Sequence, residues 1–254
     1  MLLKNPKTPL LYPYDKPRAA SLVASHIPED TKRIVSPFLG GGSIELALAA
    51  RGYEVDANTS SRLLYDFWDC VQRDPERVYQ MAMGFHPIAD PKLFYMLQKK
   101  IYQPHDEFMR AALFYILALC AENHAATSGN IEPGTPSFNQ LRLMQMSKFE
   151  CEGINFCLGD AIKLIKESED FLVCVPPPYI ASGYTNAIVI PEAPQINHAD
   201  FAELMSDRED WMILYNYHEN LRDLYPDNQL IMLDAACRET HREDRAAEVL
   251  ILGS

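Results

Sequence analysis

Short apolar runs alternate with amphipathic segments in the first part of the chain. Residues 33–38 form an apolar run that predicts a strand, and a turn of three glycines separates it from a predicted helix over residues 44–50. A second strand is predicted over residues 53–56 and a second helix over residues 60–72. This β-α-β-α order is typical of a parallel sheet with helices on both faces.

The pattern changes at about residue 75, and helical periodicity dominates from there to residue 150. The clearest predicted helices cover residues 92–102 and 107–120, and a Gly/Pro/Ser/Asn-rich loop covers residues 127–139. Short apolar runs then predict five more strands, at residues 154–157, 171–175, 211–215, 229–233 and 249–252. We therefore predict one doubly wound α/β sheet interrupted by a helical insertion.

The composition narrows the classes of function. The 254 residues are 48% hydrophobic, and 23 Lys and Arg against 35 Asp and Glu give a formal net charge of −12. That balance argues against a simple polyanion-binding module, which depends on surplus cations. The six cysteines form no C-x-x-C pair and no zinc spacing, so we expect free thiols in a reducing compartment. No apolar window of about 18 residues is present, so we expect a soluble, cytoplasmic protein without a membrane span.

Polar features follow the first two predicted strands. Pro37 to Ser43 contain Gly40, Gly41 and Gly42, which suit either a ligand loop at a helix start or a structural tight turn. Asp56 ends the second predicted strand and precedes Asn58. Its carboxylate is suited to accept hydrogen bonds from the hydroxyls of a ribose, or to cap the next helix.

Two further features follow later strands. Asp160, after Gly159, is suited either to contact an adenine amino group or to cap the helix that begins near residue 161. Residues 176–179 read Pro-Pro-Pro-Tyr, and prolines force the chain out of the sheet at its ligand-binding edge. Tyr179 there is placed to stack on a planar base. A plain proline-rich loop and a polyproline ligand for a partner domain are the alternatives.

Together these elements resemble, in the same motif order, the Dam-like class of N6-adenine DNA methyltransferases. Residues 37–43 match the class's P-F-x-G-G-G-S/A loop, residues 56–58 its D-x-N, and residues 159–160 its G-D pair. Lys16, in Tyr12-Pro13-Tyr14-Asp15-Lys16, resembles the N-terminal W-x-G-G-K element. Later segments fit as well: residues 197–201 resemble D-H-x-x-L, residues 214–216 the L-S-Y-N strand, and residues 248–252 the terminal E-x-L-I-x strand.

The resemblance implies a Rossmann-like S-adenosylmethionine-dependent methyltransferase fold, with residues 1–78 and 151–254 as the core and residues 79–150 as a target-recognition insertion. It implies S-adenosylmethionine, or its product S-adenosylhomocysteine, as cofactor and no metal. The implied cofactor residues are Lys16, Pro37, Phe38, Gly40, Gly41, Gly42, Ser43, Asp56, Asn58 and Asp160. At the catalytic motif, Tyr179 would stack the target base and the Pro177 carbonyl would accept an amino hydrogen. Such enzymes are common in phages and restriction–modification systems, which would extend the expected location to a host cytoplasm.

The catalytic motif departs from the class. Aligning its D/N/S-P-P-Y/F/W with Pro177, Pro178 and Tyr179 places Pro176 at the position of the side-chain acceptor. The adenine amine is a poor nucleophile, and that acceptor stabilises the positive charge that develops on it. Proline offers no side-chain acceptor, and losing one costs on the order of 10²–10³ in rate. Tyr184, Asn186 and His198 are near enough in sequence to be considered as substitutes.

Two more departures concern charge. Ser36 stands where many members carry an acidic residue before the Pro-Phe pair. The block of residues 81–150 contains six Lys and Arg and six Asp and Glu, so its net charge is 6 − 6 = 0. Binding to duplex DNA is therefore expected to be weak unless its cations converge on one face.

Three functions are compatible with this sequence. The first, which we retain as the prediction, is a pseudo-methyltransferase that binds the cofactor but transfers methyl poorly or not at all. The second is a working adenine modifier of DNA or another nucleic acid that uses a different acceptor. The third is an acidic scaffold without cofactor that binds a protein partner. Weakly bound DNA, a protein partner or a second copy of the chain are the expected partners.

Overall fold

A seven-stranded sheet forms the centre of the protein. The computed structural model describes residues 6–103, 106–132, 136–178, 180, 191 and 195–253, and of residues 136–139 only the backbone. The strands are β1 (Arg33–Ser36), β2 (Glu54–Thr59), β3 (Ile154–Leu158), β4 (Leu172–Val175), β5 (Trp211–Asn216), β6 (Gln229–Leu233) and β7 (Glu248–Leu252). Each of them overlaps a segment that the apolar pattern predicts as a strand.

The order of the strands in the sheet is β3-β2-β1-β4-β5-β7-β6. The strands are parallel except β7, which pairs antiparallel with both β5 and β6. The order reverses between β1 and β4, and in such sheets ligands bind beyond the carboxyl ends of the strands at this switch point. The predicted Rossmann-like α/β fold is confirmed.

Helices account for nearly half of the remaining described residues. They are α1 (Ala20–Ser25), α2 (Ser43–Ala49), α3 (Arg62–Arg73), α4 (Pro75–Met83), α5 (Pro91–Lys100), α6 (Glu107–Cys120), α7 (Pro136–Met146), α8 (Ala161–Lys166), α9 (His198–Ser206) and α10 (Leu221–Leu224). Short 3-10 turns occupy Glu122–His124 and Glu243–Arg245. Within the part of the chain that the structure describes, no helix is long and apolar enough to cross a bilayer.

The helix starts between β2 and β3 follow from local sequence. Asp74, Asp90 and Asp106 each accept a backbone N–H as N-cap of the helix that follows, and proline begins α4 and α5. The predicted loop over residues 127–139 is wrong at its end, because α7 already begins at Pro136. Proline favours the first helical position, and the helix is held by apolar side chains such as Leu143 and Met146, which are fully buried.

The helical segment packs directly onto the sheet. Every residue of α6 from Ala111 to Cys120 is buried, and α3 lies between α6 and strands β2 and β3. Asp66 of α3 is buried between Arg62, at 2.8 Å, and Arg110 of α6, at 2.5 Å. One continuous apolar cluster joins these helices to the sheet. The division of the chain into a core and an insertion over residues 79–150 stays a prediction.

Candidate functional site

The carboxyl ends of β1, β2 and β3 are tied together by one side chain. The buried Asn58 amide donates to the carbonyl of Pro37 at 3.1 Å and to that of Gly159 at 3.2 Å. The backbone N–H of Leu39 donates to the Asn58 carbonyl at 2.7 Å. The structure therefore brings together, at the edge beside the switch point, the glycine loop, Asn58 and the Gly159-Asp160 pair, as predicted for a ligand-binding edge.

The glycine loop packs against an indole ring. Gly42 has φ +75°, and a Cβ there would lie 2.5 Å from the ring of Trp68. The Trp68 Nε1–H donates to the Gly40 carbonyl at 3.1 Å. The role of Trp68 was not predictable from the sequence, because an apolar residue within a predicted amphipathic helix carries no signal that distinguishes it from an ordinary core residue.

The segment before α1 covers the same loop. Lys16 is buried, and its Nζ lies 2.7 Å from Glu248 Oε1 on β7. The Ser43 hydroxyl donates to Asp15 Oδ2 at 2.5 Å, and the Ser43 backbone N–H donates to Asp15 Oδ1 at 3.4 Å. Burial lowers the pKa of Lys16 and raises the pKa of Asp15. Lys16 therefore lies at the predicted edge of the sheet, but there it forms an ion pair with Glu248 of β7.

The first turn after β1 is largely enclosed by the protein itself. Pro37, Phe38, Gly41 and Ser43 are buried, and Gly40 is half-buried. Phe38 points to the opposite apolar cluster, where its ring packs edge-on against Phe201 with centroids 5.9 Å apart. Strand β1 ends two residues earlier than predicted, at Ser36, because Pro37 has no N–H to continue the ladder.

Asp56 does not end β2. It is the third residue of a strand that continues to Thr59 through pairing with β3, so the predicted end at residue 56 is wrong. Arg33 Nε lies 2.7 Å from Asp56 Oδ2, and Asn155 Nδ2 donates to Asp56 Oδ1 at 3.0 Å. Both carboxylate oxygens thus have partners within the protein, and the assignment of Asp56 to a cofactor ribose stays a prediction.

Asp160 caps a helix. Its Oδ1 accepts the backbone N–H of Lys163 at 2.7 Å, at the start of α8, and the side chain is exposed. The capping interpretation is confirmed, and contact with an adenine amino group stays a prediction. Its neighbour Gly159 lies against Asn58, with a Cβ position 3.4 Å from the Asn58 Oδ1.

The proline run leaves the sheet at the end of β4. The strand stops at Val175, whose register partner is Ile213 of β5, and Pro176 follows it half-buried, with Pro177 buried and Pro178 half-buried. Tyr179, Tyr184 and Asn186 lie outside the described residues.

Asn216, at the end of β5, fixes the chain just after Tyr179. The Ile180 N–H donates to Asn216 Oδ1 at 3.2 Å, and Asn216 Nδ2 donates to the Ile180 carbonyl at 3.4 Å. Residues 214–216 resemble a strand of the methyltransferase class, but nothing in the sequence indicates this contact of Asn216. The paired bonds hold the exit of the proline run against the sheet.

His198 lies near the same exit. Its Nδ1 is 2.9 Å from the Tyr215 hydroxyl, and burial lowers its pKa, which favours a neutral imidazole. With Ile180 and Ile196 it lines an open cleft of about 580 Å³. Of the three substitutes that the sequence suggests, His198 is the one among the described residues.

A buried carboxylate that the sequence did not reveal lies beneath the edge. The Ser36 hydroxyl donates to Glu45 Oε1 of α2 at 2.6 Å, and both side chains are buried. Burial raises the pKa of Glu45, whose charge also acts on the buried thiol of Cys174 in β4. Ser36 replaces the usual acid of the family, and an acid from the adjacent helix lies next to it instead.

Three of the six cations of residues 81–150 lie exposed on α5. Lys92, Lys99 and Lys100 are exposed on this helix, together with Tyr95 and Met96. Positions 92, 95, 96 and 99 share one helix face. The net charge of zero for residues 81–150 therefore conceals a local patch of positive and aromatic side chains, which we call the α5 patch.

Comparison with known families agrees with this arrangement. The model of the D12 class N6 adenine-specific DNA methyltransferase family matches residues 15–132, from Asp15 through the glycine loop, β2 and α6. No curated protein matches the chain. The family acts on DNA and implies S-adenosylmethionine as methyl donor. Over residues 15–132, which are just under half of the chain, and in the topology of its sheet, the chain is similar to the D12 class N6 adenine-specific DNA methyltransferases.

Proposed function

We propose that this protein binds S-adenosylmethionine, or S-adenosylhomocysteine, at the carboxyl edge of β1, β2 and β3, and that it transfers methyl to adenine N6 poorly. The observation that carries the proposal is Pro176, the first residue after β4 beside the switch point of the sheet. Family members place there the side chain that accepts an adenine amino hydrogen. This chain presents a pyrrolidine ring at that position.

The missing acceptor acts on the transition state. As the amine attacks a methyl group, positive charge develops on N6, and a fixed acceptor stabilises it. Without that side chain, the backbone carbonyl of Pro177, one residue further along, still offers one acceptor. Loss of one preorganised partner of developing charge lowers the rate by a factor on the order of 10²–10³.

The cofactor part of the proposal has support from the loop and from Asn58. Gly40, Gly41 and Gly42 carry no side chains at the carboxyl end of β1, and Asn58 holds this loop beside Gly159. Such a loop would accept the methionine part of the cofactor, while the ends of β2 and β3 would hold its nucleoside. The bound cofactor would supply an electrophilic methyl group on sulfur, so the protein's own task is to orient it toward the exit of β4.

The nucleic-acid part of the proposal has support from the α5 patch. Lysines contact phosphates, and exposed aromatic rings stack on unpaired bases. Three exposed lysines on one helix provide a local site for DNA on a chain whose net charge is −12. We therefore assign DNA contact to the helical segment, as proposed for residues 79–150.

Calorimetry and a transfer assay test the proposal together. The purified chain is titrated with each cofactor form up to millimolar concentration, and then incubated with labelled S-adenosylmethionine and adenine-containing DNA. Saturable heat with little or no label in N6-methyladenine is the expected result. Absence of binding for both forms overturns cofactor binding, whereas rapid labelling overturns impaired catalysis and favours an active modifier with another acceptor.

A further inference from the structure

Asp15 occupies the space that Gly41 leaves open. A Cβ built on Gly41 would lie 2.5 Å from Asp15 Cγ and 2.8 Å from Asp15 Oδ1. The Asp15 side chain is held in this position, because its carboxylate accepts hydrogen bonds from the Ser43 hydroxyl and the Ser43 backbone N–H. The opening at the middle glycine of the loop is thus filled by a carboxylate of the same chain.

Asp15 differs from the sequence element that its segment resembles. In the aligned element W-x-G-G-K, the residue before the lysine is glycine, whereas here Asp15 precedes Lys16. Two facing glycines would leave room between the N-terminal segment and the loop. One aspartate removes that room and adds a negative charge.

The cation next to Asp15 is Lys16, whose ammonium forms its ion pair with Glu248 and also attracts the Asp15 carboxylate. The buried Glu45 adds a second negative charge in the vicinity. A ligand carboxylate brought to this loop would therefore meet like charge at low dielectric. It would also compete with Asp15 for the two donors of Ser43.

We infer that Asp15 is a specificity-determining residue that disfavours the amino-acid end of the cofactor and leaves the nucleoside end of the pocket available. The inference rests on the proposed cofactor site. The ligand class that this pocket favours is a 5′-thioether nucleoside without an amino-acid chain. S-adenosylmethionine binds only after its amino-acid end displaces Asp15 from Ser43, so its affinity is reduced.

Removing the side chain should restore affinity selectively. Asp15→Gly reinstates the glycine of the family element, and Asp15→Asn keeps the volume but removes the charge. Asp30→Gly, at an exposed turn position away from the site, is the matched control. Each folded variant is titrated by calorimetry with S-adenosylmethionine, S-adenosylhomocysteine and 5′-methylthioadenosine, which lacks the amino-acid chain.

Asp15→Gly is expected to bind both amino-acid-containing ligands about tenfold tighter or more. In the wild type, these ligands must first break the hydrogen bonds from Ser43 to the Asp15 carboxylate, and the variant has no such bonds to break. Its affinity for 5′-methylthioadenosine is expected to stay within about twofold of the wild type, and Asp30→Gly to match the wild type throughout. Asp15→Asn is expected to show a smaller gain of the same sign, and it decides the matter if Asp15→Gly does not fold.

The opposite sign overturns the inference. Equal or weaker binding of S-adenosylmethionine by the folded Asp15 variants would mean that Asp15 pairs with the ammonium group of the ligand or lies outside its path. In that case binding by the wild type would still support the proposed function. If neither the wild type nor any variant binds any of the three ligands, the proposed function itself fails.

Discussion

The two sides of the switch point differ in how they have departed from a working site. On the side of β1, β2 and β3, where the family model matches β1 and β2, the motif residues are present but their polar atoms already have partners within the protein. On the side of β4 and β5, which lies beyond the match, the acceptor residue itself is replaced by Pro176. Retention of a motif in the sequence and retention of an open site are therefore separate properties.

The glycine loop makes this separation concrete. A Cβ on Gly40 would lie 3.1 Å from the ring of Tyr12, and one on Gly42 would lie 2.5 Å from that of Trp68. With Asp15 at Gly41, each glycine of the loop faces a side chain of the same chain. Packing within the protein is thus sufficient to require glycine at position 42, where φ is also positive, whether or not a cofactor binds.

The largest expected effect is on the stability of the β1 side. Gly42→Ala forces a side chain into left-handed backbone and against the rigid Trp68 ring, so we expect a loss of about 2–5 kcal/mol in the free energy of unfolding. Gly52→Ala is the matched control, because Gly52 also has positive φ but has nothing within 4 Å of its Cβ position. Urea unfolding of both variants measures the difference.

The control is expected to lose only about 1–2 kcal/mol, the cost of the backbone conformation. If Gly42→Ala loses no more than Gly52→Ala, contact with Trp68 does not require the glycine. The loop would then keep its glycines for a ligand, and the contrast between the two sides would weaken.

Next in size is the effect of restoring the acceptor on the β4 side. Pro176→Asp is expected to raise the rate of methyl transfer to adenine in DNA on the order of 10²–10³-fold, because the carboxylate stabilises the charge that develops on N6. Pro176→Ala removes the proline without adding an acceptor and should stay near the wild-type rate. Labelled cofactor and chromatography of the digested DNA measure both variants.

A gain shared by both Pro176 variants would assign the defect to the proline ring rather than to the missing acceptor. No gain in either, in protein that binds the cofactor, would place the defect on the β1 side, where Asp15 fills the loop.

The positions of the strands were easier to predict from the sequence than the contacts of the side chains at the candidate site. Alternating apolar runs located every strand of the described sheet, because burial between two helical layers imposes a strong pattern. The partner of Asp56 was not predictable, since Arg33 precedes it by 23 residues and reaches it only through strand pairing. Glu45 was equally hidden, because a charged residue in a short helix ordinarily faces solvent, whereas here it faces Ser36.

A smaller effect is expected at the boundary between the two sides, where Glu45 lies. Burial raises the pKa of Glu45 above its ordinary value of 4.5, so the stability linked to its protonated form is complete below that value and is lost as the pH rises through the folded-state pKa. Glu45→Gln keeps an acceptor for Ser36 but carries no charge. We expect it to exceed the wild type by about 1–3 kcal/mol at pH 7.5, with the difference closing near pH 4.

Urea unfolding at both pH values measures this difference, with the exposed Glu29→Gln as control. A less stable Glu45→Gln at pH 7.5 would mean that the carboxylate is held by a stronger contact than its bond to Ser36. Glu45 would then be a structural link between β1 and β4 rather than a strained group.

The smallest effect concerns DNA binding by the α5 patch, which lies within the residues that the family model matches. Replacing Lys92, Lys99 and Lys100 by Gln is expected to weaken duplex binding and to reduce the slope of log K against log salt by up to about 2.7, since each phosphate contact contributes about 0.9. The matched control replaces three exposed lysines elsewhere, at positions 32, 163 and 166, and removes the same total charge. Fluorescence anisotropy over a range of salt concentrations measures both. Equal slopes for the two triple variants would show that net charge alone governs binding, and the α5 patch would lose its assignment, because a local contact must change the slope more than a remote one of equal charge.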